Sequence, residues 1–342
     1  MAKSTNFFET DDGGAYTQQL TRLLRDTETD NCPLLLELIA GGGANRRVLG
    51  YLFGIAVFHA NRETASRAMG LLQRYAAEPT VRQAQKLRES AAYHYDEAEY
   101  FSRYQSAEVD LFDLLLASKM CLWHRSRPGA GSNAQVAFQT LDLRRLDVVE
   151  LSPALTALDF LKFIALPANK NFDLAAALPI LLQLPLETVI IENIRVETFP
   201  VELFALPRLL TLIIRKGNLR PRNPMQVPDG GPFGCPTLEK LILEGYPTTG
   251  EEHLGPFPAL REAVLQRCNL LNLSFLSQSP NLERLNARYN RLETLPDFLA
   301  RCTQLRSLEL SHNPFRKIEL DLEHLQHLEE LEITLQSRLF GM

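Results

Sequence analysis

The sequence predicts an α/β solenoid, with parallel strands on its concave face, preceded by an all-α helical domain. Three observations carry this expectation. A pattern of apolar first, fourth and sixth positions recurs seven times between Leu186 and Ile333. Before His124 the apolar residues recur at helical spacing instead. Between the two regions, residues 128–137 hold Pro128, Gly129, Gly131 and Ser132, which read as a linker. The expected division is therefore a helical domain over 1–127, with 1–14 as a flexible tail, the linker at 128–137, and the solenoid over 138–342.

In the helical domain, Ala15–Asp26 and Pro33–Ala40 are expected as short helices, with Gly41-Gly42-Gly43 ending the second. Ala44–Ala60 is apolar nearly all round and reads as a buried core helix. Its most apolar stretch, Val48 to Phe58, is about half as long as a bilayer span. Asn61 suits the N-cap of a helix over Arg62–Ala77, where Ala65, Ala68, Met69, Leu72 and Tyr75 share one face. Thr80 and Gln83 have the spacing of a capping box opening a helix through Tyr104. Leu111–Leu122 is a further apolar helix. Three successive helix pairs weakly resemble HEAT or armadillo folds; a plain helical bundle is the alternative.

The repeats run Leu186-Val189-Ile191, Leu209-Leu212-Ile214, Leu238-Leu241-Leu243, Leu260-Ala263-Leu265, Leu282-Leu285-Ala287, Leu305-Leu308-Leu310 and Leu328-Leu331-Ile333. The steps between first positions are 23, 29, 22, 22, 23 and 23 residues. Alternation within each unit describes a short strand with one face buried. One unit offers about six apolar side chains, each contributing roughly 1.5–3 kcal/mol when buried. That is too little to offset the ordering entropy of the unit alone, so the units must stack. This pattern resembles the leucine-rich-repeat family in its common 23-residue form, with a Leu-Pro step after the turn, as in Leu295-Pro296. In that family the ninth position is usually Asn, satisfying backbone groups in the turn. Here it is Asn290 and Asn313, preceded by Cys268, Tyr246, Gly217 and Ile194, so the asparagine ladder is expected only toward the C-terminus. Upstream, Phe138-Leu141-Leu143 and Leu155-Leu158-Phe160 look like two degenerate capping units (138–185), with a helix over Phe172–Leu184. At the far end, either Leu339 and Phe340 fold back over the last strand, or its edge pairs with a partner or a second copy.

Function is expected to follow from that surface. Outward positions form a central column of Ile190, Ile213, Ile242, Val264, Asn286, Glu309 and Glu332, whose apolar members should face solvent. Beside it run Glu192, Arg215, Glu244, Gln266, Arg288 and Ser311, then Asn193, Lys216, Arg267, Tyr289 and His312. Arg, Tyr and branched apolar residues are the usual anchors of protein interfaces. The long step places an insertion at 217–237, whose Arg220 and Arg222 add to the basic residues nearby and suit an acidic partner surface.

Catalysis finds little support in the sequence. Gly129-Ala-Gly131-Ser lacks the Lys-Ser/Thr ending of a phosphate loop. His324 and His327 are two ligands without a third. The aromatic stretch around His94 and Glu97 reads as packing. Five cysteines, Cys32, Cys121, Cys235, Cys268 and Cys302, are odd in number and never in a CxxC spacing, so neither a disulfide framework nor a structural zinc site is expected. A net charge of -5 argues against a dedicated nucleic-acid binder. The acidic N-terminus lacks the look of a secretory signal. Bacterial effector ligases carry similar repeats, but with a catalytic domain beyond them. The expectation is a cytoplasmic, bacterial interaction protein without cofactor, metal, membrane or nucleic-acid binding. Alternatives are a regulatory subunit or adaptor whose helical domain docks an enzyme, and an enzyme with an unrecognised helical site.

Overall fold

The structure is a computed structural model and describes residues 14–26, 28–91, 108–125, 138–217, 223–315 and 325–334. The chain divides into two compact units: Met1–Leu141 with Leu151–Leu161, and Asp142–Glu150 with Lys162–Met342. Residues 138–141 and 151–161, expected in the solenoid, thus group with the helices. Aromatic packing is the physical reason: the Trp123 ring lies 4.5 Å from Phe138 and 6.0 Å from Phe160. The expected linker at 128–137 lies outside the described residues.

The first unit is built on helices α1 (Ala15–Leu24), α2 (Cys32–Gly42), α3 (Arg46–Phe58), α4 (Arg62–Tyr75), α5 (Glu78–Ala91) and α6 (Leu111–Arg125). The Asn45 side chain caps α3 by accepting the Val48 amide at 2.9 Å. Asn61 caps α4 as expected, accepting from Glu63 and Thr64 at 2.8 and 3.2 Å. Every residue of α3 from Val48 to Phe58 is buried, which makes it the central helix of the unit. Gly50 and Gly54 let α6 approach its backbone: a Cβ on Gly50 would lie 2.9 Å from the Asp110 carbonyl, and one on Gly54 2.7 Å from Ala117. Across the same contact, Arg47 holds the buried Asp113 carboxylate at 2.8 and 3.0 Å.

The capping box expected from Thr80 and Gln83 does not form. Helix α5 already begins at Glu78, and the carboxylate of Glu108 closes its first turn from outside. Glu108 accepts the Ala77 amide at 2.9 Å and the Thr80 hydroxyl at 2.8 Å. A distant carboxylate can satisfy the orphan amides of a helix start as well as a local one. The continuation toward Tyr104, with His94 and Glu97, lies outside the described residues.

The sheet holds nine strands in the order β1 (Thr140–Asp142), β2 (Phe163–Ala165), β3 (Thr188–Glu192), β4 (Thr211–Arg215), β6 (Lys240–Glu244), β8 (Glu262–Gln266), β9 (Arg284–Asn286), β10 (Ser307–Glu309) and β11 (Glu330–Glu332). From β2 onward every neighbouring pair is parallel. Leu212, Leu241, Ala263, Leu285 and Leu308 stack in one inward row, and Ile214, Leu243, Leu265, Ala287 and Leu310 in the next; each is at most 1% exposed. Helix α7 (Leu174–Leu181), capped by Asp173 onto the Ala176 amide at 2.9 Å, lies within the expected Phe172–Leu184. Leu331, in the last strand, is 46% exposed where its equivalent Leu308 is 0%.

The second degenerate unit is misplaced in the sequence reading. Its strand is β2, with Ile164 paired to Val189. The repeat frame is therefore Leu161-Ile164-Leu166, six residues after the expected Leu155-Leu158-Phe160. Leu155 and Leu158 belong instead to tight turns, with the Leu158 amide donating to Leu155 and the Leu161 amide to Leu158, both at 2.9 Å. Leucines three apart fit a 3₁₀ turn as well as the start of a repeat, which is why the frame was misread. In the corrected frame the ninth residue is Asn169, whose side chain donates to the Val148 carbonyl at 3.3 Å. It also donates to the Asp147 carboxylate at 2.9 Å and accepts the Asn171 amide of its own repeat, so it shares the position of Asn290 and Asn313 but not their bonding.

Candidate interaction surface

The outward positions of the strands stand in strict register. Ala165, Ile190, Ile213, Ile242, Val264, Asn286, Glu309 and Glu332 are successive partners across the sheet. At strand spacing, the apolar run from Ala165 to Val264 spans roughly 19 Å. Asp142, the equivalent position of β1, bounds it at one end, and Asn286, Glu309 and Glu332 at the other. Full outward exposure was expected and is not observed. Ile190, Ile213 and Val264 are half-buried, and Ile242 is only 4% exposed. Ala165 is fully buried; branched side chains packed side by side at strand spacing shield one another.

The next row is laced by ion pairs. Arg215 reaches Glu244 at 3.3 Å, Arg288 reaches Glu309 at 3.4 Å and Glu332 at 3.2 Å, and Arg144 reaches Glu192 at 3.4 Å. Arg215 and Arg288, expected as contacts for an acidic partner, thus already hold carboxylates of this chain. Arg144 completes the row from a repeat whose frame is degenerate, and its role is visible only once β1 is in register. Lys216 is half-buried, with its side chain alongside Gly245.

The third row owes its form to the backbone. Asn193, Arg267, Tyr289 and His312 all take the left-handed conformation, with φ of 56°, 55°, 60° and 59°. Such a conformation costs an ordinary residue of order 1–3 kcal/mol. It is held because the amide at this position still bonds the next repeat, Arg267 to Arg288 and Tyr289 to Ser311, each at 3.2 Å. The turn brings three planar groups into one stack. The Tyr289 and His312 rings lie 4.2 Å apart at an interplanar angle of 5°. The Arg267 guanidinium sits 4.8 Å from the Tyr289 centroid. Arg267 comes from the repeat before Tyr289 and His312 from the repeat after, so the tyrosine is sandwiched. Each contact contributes about 0.5–1 kcal/mol. All three side chains are exposed, Tyr289 by 39%.

The turns behind this row are closed by the ninth residues. Asn290 accepts the Cys268 and Leu270 amides at 3.0 and 3.1 Å and donates to Leu265 and Ala287 at 2.5 and 3.0 Å. Asn313 accepts the Leu292 amide at 3.1 Å and donates to Ala287 and Leu310 at 2.9 and 2.8 Å. One strand per repeat, steps near 23 residues and this ladder decide the architecture. The second unit is a leucine-rich-repeat solenoid.

Among solved structures the chain is similar to a leucine-rich-repeat protein of Leptospira interrogans, at 20% identity over 59% of this chain and 50% of that one, with a TM-score of 0.45. This chain therefore spans half the length of the Leptospira protein. It is also similar to internalin C2 of Listeria monocytogenes, at 19% identity over 60% and 83% of the two chains and a TM-score of 0.44. Human 5T4, the trophoblast glycoprotein, is similar at 20% identity over 59% and 77%, with a TM-score of 0.39. No family model and no curated protein matches the chain.

The insertion is shorter than the sequence implies. Met225–Gln226 form β5, which pairs in parallel with β7 (Thr248–Thr249), and Thr198 bridges to Gln226. Residues from Met225 onward thus belong to the ordinary return leg of the repeat. Arg220 and Arg222 lie outside the described residues, as does His324. No helix among the described residues is long and apolar enough to cross a membrane.

Proposed function

We propose that the chain is a non-catalytic interaction protein whose solenoid binds a partner protein through the concave face of its repeats. The carrying observation is the apolar strip Ile190–Ile213–Ile242–Val264, in register on the solvent side of the sheet and flanked by the Arg267–Tyr289–His312 stack. Three strand spacings make this strip about 14 Å long, which matches between two and three turns of a partner helix laid along it. Because Arg215 and Arg288 already hold Glu244 and Glu309, the partner's carboxylates are matched best to Arg267 and His312 at the rim, and affinity to the isoleucines. Rim charges act mainly on association rate, and buried apolar anchors on lifetime.

The test is site-specific photocrosslinking from position 213 in the native cell, beside an Ile213→Arg/Val264→Arg variant shown to fold by circular dichroism. One protein crosslinked at 213, and bound by wild type but not by the variant, supports the concave face. Equal binding by both sinks it and turns attention to the helical unit as an adaptor surface.

A further inference from the structure

The last strand of the sheet, β11, leaves its end of the core uncovered, and among the described residues no strand follows it. Leu331 is 46% exposed and Leu328 and Ile333 are half-buried, while their equivalents Leu305, Leu308 and Leu310 are all 0% exposed. The Glu330 amide donates to the Arg306 carbonyl at 3.0 Å, and the Glu332 carbonyl accepts the Leu310 amide at 2.7 Å. Alternation along a strand therefore turns the amide and carbonyl of Leu331 away from β10, toward the edge. The charges of β11 have one sign. Between adjacent repeats, the ion pairs Lys240–Glu262, Arg261–Glu283, Arg288–Glu309 and Arg306–Glu329 each place the cation on the earlier repeat and the acid on the later. The series stops on acids, because the sequence from Ile318 to Thr334 holds six of them and neither lysine nor arginine. Glu330 and Glu332 flank Leu331 on the outward face; Glu330 is exposed, and the Glu332 side chain stays 49% exposed beside Arg288.

We propose that the edge of β11 takes an added strand from a partner protein, an extended segment in which an apolar residue lies between two basic ones. The backbone of that segment bonds the Leu331 amide and carbonyl. Its apolar side chain lies on the inward face and covers Leu331 and the end of the core. Its two lysines or arginines lie on the outward face, opposite Glu330 and Glu332, where opposite charges across a strand pair are favourable. A second copy of this chain fits the same edge poorly. Two-fold pairing of β11 with itself runs antiparallel, and centred on Leu331 it sets Glu330 directly opposite Glu332 of the other copy. Like charges in that position are destabilising. The edge is separate from the apolar strip of Ile190 to Val264, and the proposal does not rest on that strip.

The test uses the full chain and a short synthetic peptide alternating lysine and valine, read by fluorescence anisotropy. Two controls accompany it: a glutamate–valine peptide, and a peptide of the same lysines and valines grouped in two blocks. The alternating lysine peptide should bind, weaken with added salt, and slow hydrogen exchange at the Leu331 amide. Both controls should bind at least about tenfold more weakly. Leu331→Pro removes an amide that faces the edge and not β10, so it should keep the fold, by circular dichroism, and abolish binding. Glu330→Lys/Glu332→Lys should reverse the preference toward the glutamate peptide, and it keeps the test alive if the proline variant misfolds. No binding of the alternating lysine peptide up to about 1 mM overturns the proposal. Equal binding of all three peptides, or equal binding by wild type and Leu331→Pro, overturns it in favour of a diffuse charge effect. Binding that appears only after removal of residues 335–342 assigns the edge to the chain's own C-terminal segment instead. A dimer seen by sedimentation and lost in Leu331→Pro assigns it to a second copy, and the proposal falls.

Discussion

Toward the C-terminal end of the sheet, the turn after each strand is filled by one residue type, Asn290 and then Asn313, each bonded on both faces of its amide. Toward the middle, the same place holds Ile194, Gly217, Tyr246 and Cys268. The backbone there is satisfied by whatever reaches it. The Cys268 thiol donates to Leu243 at 3.1 Å. The Tyr246 hydroxyl, its pKa pushed up to about 12 by burial, passes the glycine of the intervening repeat and donates to the Ile194 carbonyl two repeats away. The two regions bury equivalent inward rows. They differ in how local their polar bonding is, and a repeat can lose its consensus turn residue if a neighbour's side chain is long enough to replace it.

The comparison can be broken most sharply at Asn290. Asn290→Ala strands the Cys268 and Leu270 amides and takes a donor from the Leu265 carbonyl in a buried turn, while Ala287 keeps its bond from Asn313, and should cost roughly 2–4 kcal/mol in urea unfolding. Hydrogen exchange should quicken at Cys268 and Leu270 before it does elsewhere. A cost below about 1 kcal/mol would mean that water replaces the amide and that the ladder is not what holds these turns.

Gly217→Ala tests the irregular region. Its φ is 56°, and a Cβ there would lie 1.9 Å from the Asn193 side-chain oxygen. A destabilisation of about 2 kcal/mol is expected, part of it recovered when Asn193→Gly is added. Absence of any recovery would assign the whole effect to the backbone conformation.

The smallest effect is expected at Tyr246→Phe, which removes only the hydroxyl bonded to Ile194. About 1–2 kcal/mol should be lost, and the loss should be felt at the Ile194 turn by hydrogen exchange rather than at Tyr246 itself. If exchange at Ile194 is unchanged, the reach across two repeats is not a stabilising bond.

The solenoid was legible in the sequence to a degree that the helical unit was not. Inward leucines return every 22 to 29 residues because each repeat must meet the same row of its neighbour, so position in the chain reports position in space. The outward columns followed from that register, and Ile190, Ile213, Ile242 and Val264 are adjacent as expected. Exposure was not legible, since shielding of Ile242 depends on its neighbours' side chains. Nor was the state of Arg215 and Arg288, whose partners are set by geometry across the sheet. Leu155 and Leu158 misled for a local reason: three-residue spacing serves a tight turn and a repeat alike.

In the helical unit, periodicity identified the buried faces and the cap at Asn61, and nothing more. Asp30, Cys32 and His59 come together, with His59 Nε2 2.9 Å from the Asp30 carboxylate, because the start of α2 lies by the end of α3, and no spacing in the sequence announces it. Glu108 likewise closes a helix start about thirty residues before it, where Thr80 and Gln83 suggested a local cap.

By itself, then, the sequence determined the parallel strands, their register and the Asn290 and Asn313 turns, because in a stacked repeat the nearest neighbours in space lie one period away in the chain. Only the tertiary structure decided the frame at Leu161, the ion pairs of the outward row, the Arg267–Tyr289–His312 stack and the cluster around Cys32. Those depend on side chains brought together from distances no period encodes, where contact is set by packing and not by spacing.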